Sequence, residues 1–249
     1  MKRRTWLMVL LLISSLLLVA GCASTNGKAK VDEGPKYSGF LSDYSKLQPD
    51  PDGSKAMRYI NPETSLKKYN KVMIDKIVIS LKSDAEYKAI DPEEMKALTD
   101  YFREAIKKEL GTDYPLVNEA GPGVLRARIA ITDLVPTKTA MTVVVLVTPY
   151  ATVADLASGA ASKGGAGSAP YLGYSAVEVE GMDSETLQPV FSYVEQKFPK
   201  KYDVENPTAY FDAYSTWAYV KNNFDYWAKK FRTRMDEAHG KKKAEEKKK

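Results

Sequence analysis

The chain has 249 residues, 44% hydrophobic and 28% charged, with 15 glycines, 13 prolines and a formal net charge of +5. That composition excludes a disordered, collagen-like or polytopic membrane protein. One cysteine and one histidine exclude a disulfide scaffold and supply no zinc ligand set, so neither a metal nor a cofactor is expected.

In chain order, Met1-Lys2-Arg3-Arg4 comes first, an apolar run extends from Trp6 to Ala20, and Gly21-Cys22 follows. A basic start ahead of a short apolar run is the layout of a secretory signal. A spanning helix needs about 20 predominantly apolar residues. Val19, Ala20, Gly21 and Cys22 resemble the lipobox of bacterial lipoproteins. That resemblance implies a diacylglycerol on the Cys22 sulfur, cleavage before Cys22 and acylation of the new amine. Residues 1–21 then form the lipoprotein signal peptide. Stable anchoring takes two or more chains, so the expected partner is the membrane, through covalent lipid on Cys22. Ala23 and Ser24 stand where an Asp tends to retain enteric lipoproteins in the inner membrane. The expected location is therefore the outer membrane, facing the periplasm.

Residues 22–36 are small, polar and charged. They read as a lipidated tether with a root-mean-square span of about 20 Å. Setting aside Lys2, Arg3, Arg4 and the Lys-rich tail 240–249, the body carries 28 basic and 30 acidic residues. The basic character thus lies at the ends, and no nucleic-acid partner is expected. The tail is low in complexity and reads as disordered and solvated.

Residues 37–239 read as a single α+β domain: a small mixed or antiparallel sheet packed by two long helices, with an irregular N-terminal arm. The arm, Tyr37 to Lys68, has clustered turn signals with scattered apolar residues. Asp50-x-Asp52-Gly53 resembles a calcium loop only weakly, because the glycine comes too early and no Glu closes it; it reads as a surface turn. Asn70 to Leu81 is β-branched-rich and predicts a strand covered on both faces, interrupted at Asp75-Lys76.

Asp91-Pro92-Glu93-Glu94 predicts a capped helix start. Met95, Leu98, Phe102, Ile106 and Leu110 form one apolar stripe, and Gly111 supplies the stop, so the helix runs from Pro92 to Leu110. Val124 to Leu134 is the next strand, with Arg126 and Arg128 alternating against Leu125, Ala127 and Ile129. Ala176 to Glu180 alternates in the same way. If the two strands pair, Arg126 and Arg128 meet Glu178 and Glu180, either as a charged ligand face or as ordinary cross-strand ion pairs. Met182 to Thr186 is turn chemistry, and Leu187 to Gln196 returns as the second arm of a hairpin.

Between these strands, residues 140–174 form an excursion, apolar from Ala140 to Ala157 and then Gly-rich from Ser158 to Ser168. It reads as a cover for the sheet with a loop. The alternative is a surface through which the chain self-associates, using 140–168. The last element opens at Asn206-Pro207 and carries an aromatic stripe including Trp217, Phe224, Trp227 and Phe231, with a candidate kink at Asn222-Asn223. It reads as the main core helix or, alternatively, as a docking face built on Trp217 and Trp227.

Tyr37 to Leu41, Arg58 to Ile60, Tyr69 to Asp75, Leu125 to Thr137 and the Trp217 to Met235 helix together resemble the bacterial lipoproteins grouped as domain of unknown function 3313. The resemblance spans Tyr37 to Ala238. It implies a lipoprotein and carries no activity and no catalytic residues.

No nucleophile elbow, phosphate loop or base–nucleophile pair is visible. His239 lies at the edge of the tail. No enzymatic activity is expected, and no catalytic residue is named. The reading is a lipid-anchored periplasmic binding or envelope-assembly module with an envelope protein or cell-wall partner. The alternatives are a self-oligomerising envelope structure and, behind it, a carboxylate-based hydrolase.

Overall fold

The computed structural model describes residues 37–83, 85, 90–137, 173–198 and 216–241. The expected signal peptide and tether, most of the 140–174 excursion, the expected Asn206-Pro207 helix start and the tail from residue 242 lie outside the described residues. Within the described residues the fold is α+β, an open mixed sheet of seven strands with two long helices.

The strands are β1 (Gln48–Pro49), β2 (Met57–Ile60), β3 (Lys71–Ile74), β4 (Val78–Ile79), β5 (Val124–Val135), β6 (Tyr174–Asp183) and β7 (Pro189–Lys197). The helices are α1 (Pro92–Leu110) and α2 (Ala218–Ala238). Strand order is β1-β2-β7-β6-β5-β3, with β4 also on β5. β3 and β4 are parallel to β5 and occupy successive stretches of one of its edges, Lys71–Ile74 on Val124–Ala127 and Val78–Ile79 on Ala130–Ile131. The other pairings are antiparallel. The single strand expected over Asn70–Leu81 is therefore two. Asp75-Lys76 lies in the break, where the Asp75 carboxylate turns to Arg126.

α1 has the bounds its sequence predicts. The Asp91 carboxylate accepts from the Glu93 and Glu94 N–H groups, Pro92 takes the first turn, and Gly111 closes the helix at φ 55°. Its buried stripe is Leu98, Phe102, Ala105, Ile106 and Leu110. That stripe packs against α2, where the Phe102 and Phe224 rings stack with centroids 4.6 Å apart. Arg232 of α2 donates to the Glu109 and Leu110 carbonyls, satisfying two acceptors left open at the end of α1. α2 is one continuous helix through Asn222-Asn223. The Asn223 amide donates sideways to Ser175 Oγ and the Lys197 carbonyl.

Both helices cover one face of the sheet. The core there joins Val72 and Ile74 of β3, Leu125, Ala127, Ile129 and Ile131 of β5, and Val177 of β6 to the helix stripes. The opposite face is covered by the N-terminal arm through a smaller cluster of Leu41, Leu47 and Val194, with Phe40, Tyr44, Met57 and Tyr59 packed on it. The β6–β7 hairpin closes on Asp183, whose Oδ1 accepts from the backbone of Glu185 and Thr186, as the turn chemistry predicts.

Candidate functional site

Pairing of β5 with β6 sets Arg128 opposite Glu180, and Arg128 Nη1 lies 2.6 Å from Glu180 Oε2. The other expected pair does not form. Arg126 stands opposite Met182 and makes a two-pronged contact with Asp75, at 2.9 Å. Glu178 stands opposite Ala130 and serves the arm. Its Oε1 accepts from Ser38 N–H at 2.7 Å, and its Oε2 accepts from Ser38 Oγ at 2.9 Å and Tyr44 OH at 2.6 Å. Glu180 is held in the same manner by the N–H and hydroxyl of Ser42, both at 3.1 Å. The carboxylates, 0% and 1% exposed, are anchors for the arm rather than a charged ligand face. Serines four apart on the arm grip glutamates two apart on one side of β6. No local pattern announces this grip, because 140 residues separate Ser38 from Glu178.

On the helix side of the sheet, α1 and α2 leave part of β6 and β7 uncovered. A cleft of about 350 Å³ opens there. Its floor is Ile129, Val177, Val179, Phe191 and Tyr193, and its walls are Phe102, Ile106, Trp227 and Phe231. Ile60, Leu66, Arg58, Lys230, Arg234 and Glu237 stand around the mouth. Val179, Phe191, Tyr193 and Phe231 are only partly buried, so they offer apolar surface to the opening.

The polar groups in the cleft serve one another. Trp227 Nε1 donates to Glu195 Oε2 at 2.7 Å, and Tyr193 OH donates to the same oxygen at 2.5 Å. Lys230 Nζ donates to Tyr193 OH at 2.8 Å and lies 2.7 Å from Asp52. Burial, followed by the field of Glu195, pushes the Tyr193 phenol far up, so it stays protonated. Burial opposes the charge on Lys230, yet Asp52, Glu195 and Asp50 outweigh it and raise its pKa.

Asp50, expected on a surface turn, is 4% exposed. It draws in Arg58, Lys230 and Arg234 at 3.6, 3.3 and 3.0 Å. The Asp50-x-Asp52 pair is thus a structural tie between the β1–β2 turn and α2. Among the described residues no group of three His, Cys, Asp or Glu could hold a metal ion.

Trp217 and Trp227 are 7% and 5% exposed. The docking face read on them is corrected accordingly: the stripe faces the sheet and α1. Trp227 nevertheless lines the cleft, a placement that helical periodicity alone does not reveal. Cys22, Val19, Ala20 and Gly21 lie outside the described residues, as does the 140–168 surface. No helix among the described residues is long and apolar enough to cross a membrane.

Comparison with known proteins adds kinship. The family model described as protein of unknown function (DUF3313) matches residues 36–231. The uncharacterized lipoprotein YdcL of Escherichia coli K12 is 30% identical over 128 residues, covering 49% of this chain and 53% of that protein. YdcL of Escherichia coli O157:H7 matches with the same figures. The matched stretch therefore spans about half the length of these curated relatives. Among solved structures, a point variant of the PelC dodecamer from Paraburkholderia phytofirmans is 11% identical with a TM-score of 0.37, covering 72% of this chain and 95% of that one. A DUF4136 family protein of Bacteroides thetaiotaomicron is 12% identical with a TM-score of 0.29, covering 73% and 98%.

Proposed function

The chain belongs to the DUF3313 family of proteins of unknown function, and from that premise we propose that it is a lipid-anchored, non-enzymatic binding module of the bacterial envelope. The observation that carries the binding role is the cleft. It is concave, floored by apolar and aromatic side chains, and of the size that small-molecule sites have. The non-enzymatic role is supported by its polar groups. Glu195, Tyr193, Trp227 and Lys230 are bonded to one another or to Asp52, and none is aimed as a base at a nucleophile.

The anchor is supported by Val19-Ala20-Gly21-Cys22 and by two relatives that carry the name lipoprotein. Ala23-Ser24 after the cysteine favours the outer membrane, periplasmic side. Cells expressing the full chain and fed labelled palmitate should incorporate label into the wild type and not into Cys22→Ser. Gradient separation of the membranes should place the labelled protein with the outer membrane. A Cys22→Ser protein that stays membrane-bound, or a wild type without label, overturns the anchor. Sedimentation with the inner membrane overturns the location alone.

A further inference from the structure

We infer that the cleft holds a single hydrocarbon chain, the acyl part of an envelope amphiphile whose head group stays at the mouth. This rests on the cleft being a binding site and adds the class of its ligand. Polarity complementarity carries it. A sugar or peptide would bring hydroxyls or amides onto a floor of Ile129, Val177, Val179 and Phe191 that offers no side-chain partner. Leaving such groups unbonded in an apolar site is costly. Of the polar side chains that border the cleft, Tyr193 and Trp227 already donate to Glu195, Thr64 donates to the Asn61 carbonyl and Ser65 accepts from the Lys67 N–H.

A charged body is excluded by the same logic. Every charged side chain at the mouth is paired: Arg58 with Asp50, Lys230 with Asp50 and Asp52, and Arg234 with Asp50 and Glu237. The occupant that satisfies this lining is one with no polar atoms along its buried length, and each buried methylene adds favourable transfer energy. Ile60, 46% exposed at the end of β2, extends the apolar surface to the rim, where such a chain would enter.

The test uses the full-length protein, moved from detergent into an amphipathic polymer. The probes are cis-parinaric acid and a phosphatidylcholine carrying one parinaroyl chain, with energy transfer from tryptophan as the signal. Saturable transfer with either probe supports the proposal, and the tighter probe tells a free fatty acid from a phospholipid as the source. Val179→Phe, which fills the floor, should weaken binding more than tenfold. If that variant fails to fold, Ile60→Glu, on exposed backbone at the rim, should do the same.

Transfer unchanged in the folded variant overturns the proposal. So does saturable binding of uncharged 1-aminoanthracene, lost in Val179→Phe, without any transfer to the parinaroyl probes; that result leaves the cleft as a site for another ligand. Binding of none of the three probes overturns both the chain and the binding role.

Discussion

Trp227 on α2 and Glu195 on β7 are joined by a buried hydrogen bond of 2.7 Å from the indole Nε1 to the carboxylate Oε2. The same oxygen receives Tyr193 OH. One carboxylate therefore fixes both a wall and the floor of the cleft, and its negative charge is met by donors rather than by water.

Trp227→Phe removes one of those donors while keeping most of the ring. The expected loss is about 1–3 kcal/mol, the cost of leaving a buried acceptor short of a partner. A lower urea midpoint with unchanged slope checks it, and an unchanged midpoint contradicts the role given to the bond.

Glu178→Ala strips three donors of their acceptor and leaves the arm held to β6 by Ser42 and Glu180 alone. The loss should be on the order of 3 kcal/mol. Limited proteolysis provides a second readout, because cleavage should appear within residues 37–47 well before the sheet is cut. Glu178→Gln keeps an acceptor and should fall between the wild type and the Ala variant in both measurements.

Gly181→Ala tests packing between β6 and β7. A Cβ at this position would lie 2.5 Å from Phe191 Cδ1 and against the rest of the ring edge. The ring must then swing out of its place in the cleft, and overpacking of this kind costs about 1–3 kcal/mol. Near-ultraviolet circular dichroism should change along with stability. At Gly121, ahead of β5 with open space around it and no positive φ, the corresponding variant should leave the aromatic signal untouched.

Alkaline pH should destabilise the protein, in part through Tyr69 and Tyr114. Tyr69 OH donates to Asp183 Oδ2 and Tyr114 OH donates to Asp236 Oδ1. Burial first, and the adjoining carboxylate second, push both phenols up to about 12. The folded state favours the protonated phenol, whereas the unfolded chain ionises near 10. The stabilisation is therefore complete below pH 10 and is lost as the pH rises from 10 to 12. Urea midpoints at pH 9 and 11.5 should differ, and Tyr69→Phe should reduce the difference.

The features legible in the sequence are those whose chemistry is local. α1 is bounded by Asp91, Pro92 and Gly111 and reads correctly to the residue. The β6–β7 hairpin is announced by the Asp183 turn, and the inward and outward sides of β5 by strict alternation. The features that escape depend on distant partners. Arg128 finds Glu180, but the register sends Arg126 to Asp75, and register is a property of two strands at once. Asp50 reads as solvent-facing because its three cations come from β2 and α2. The cleft escapes for another reason. It is a place that the two described helices leave open, and an amphipathic stripe looks the same whether its neighbours fill the space or not.

The grip of Ser38 and Ser42 has a mechanical side. It clamps the point where the polypeptide enters the sheet to β6, which is flanked by β7 on one side and β5 on the other. A pull on the chain ahead of Tyr37 would load an interior strand before it reached an edge. Force would then be shared by two ladders instead of unzipping one, giving the fold a built-in strain relief against any load applied at that end.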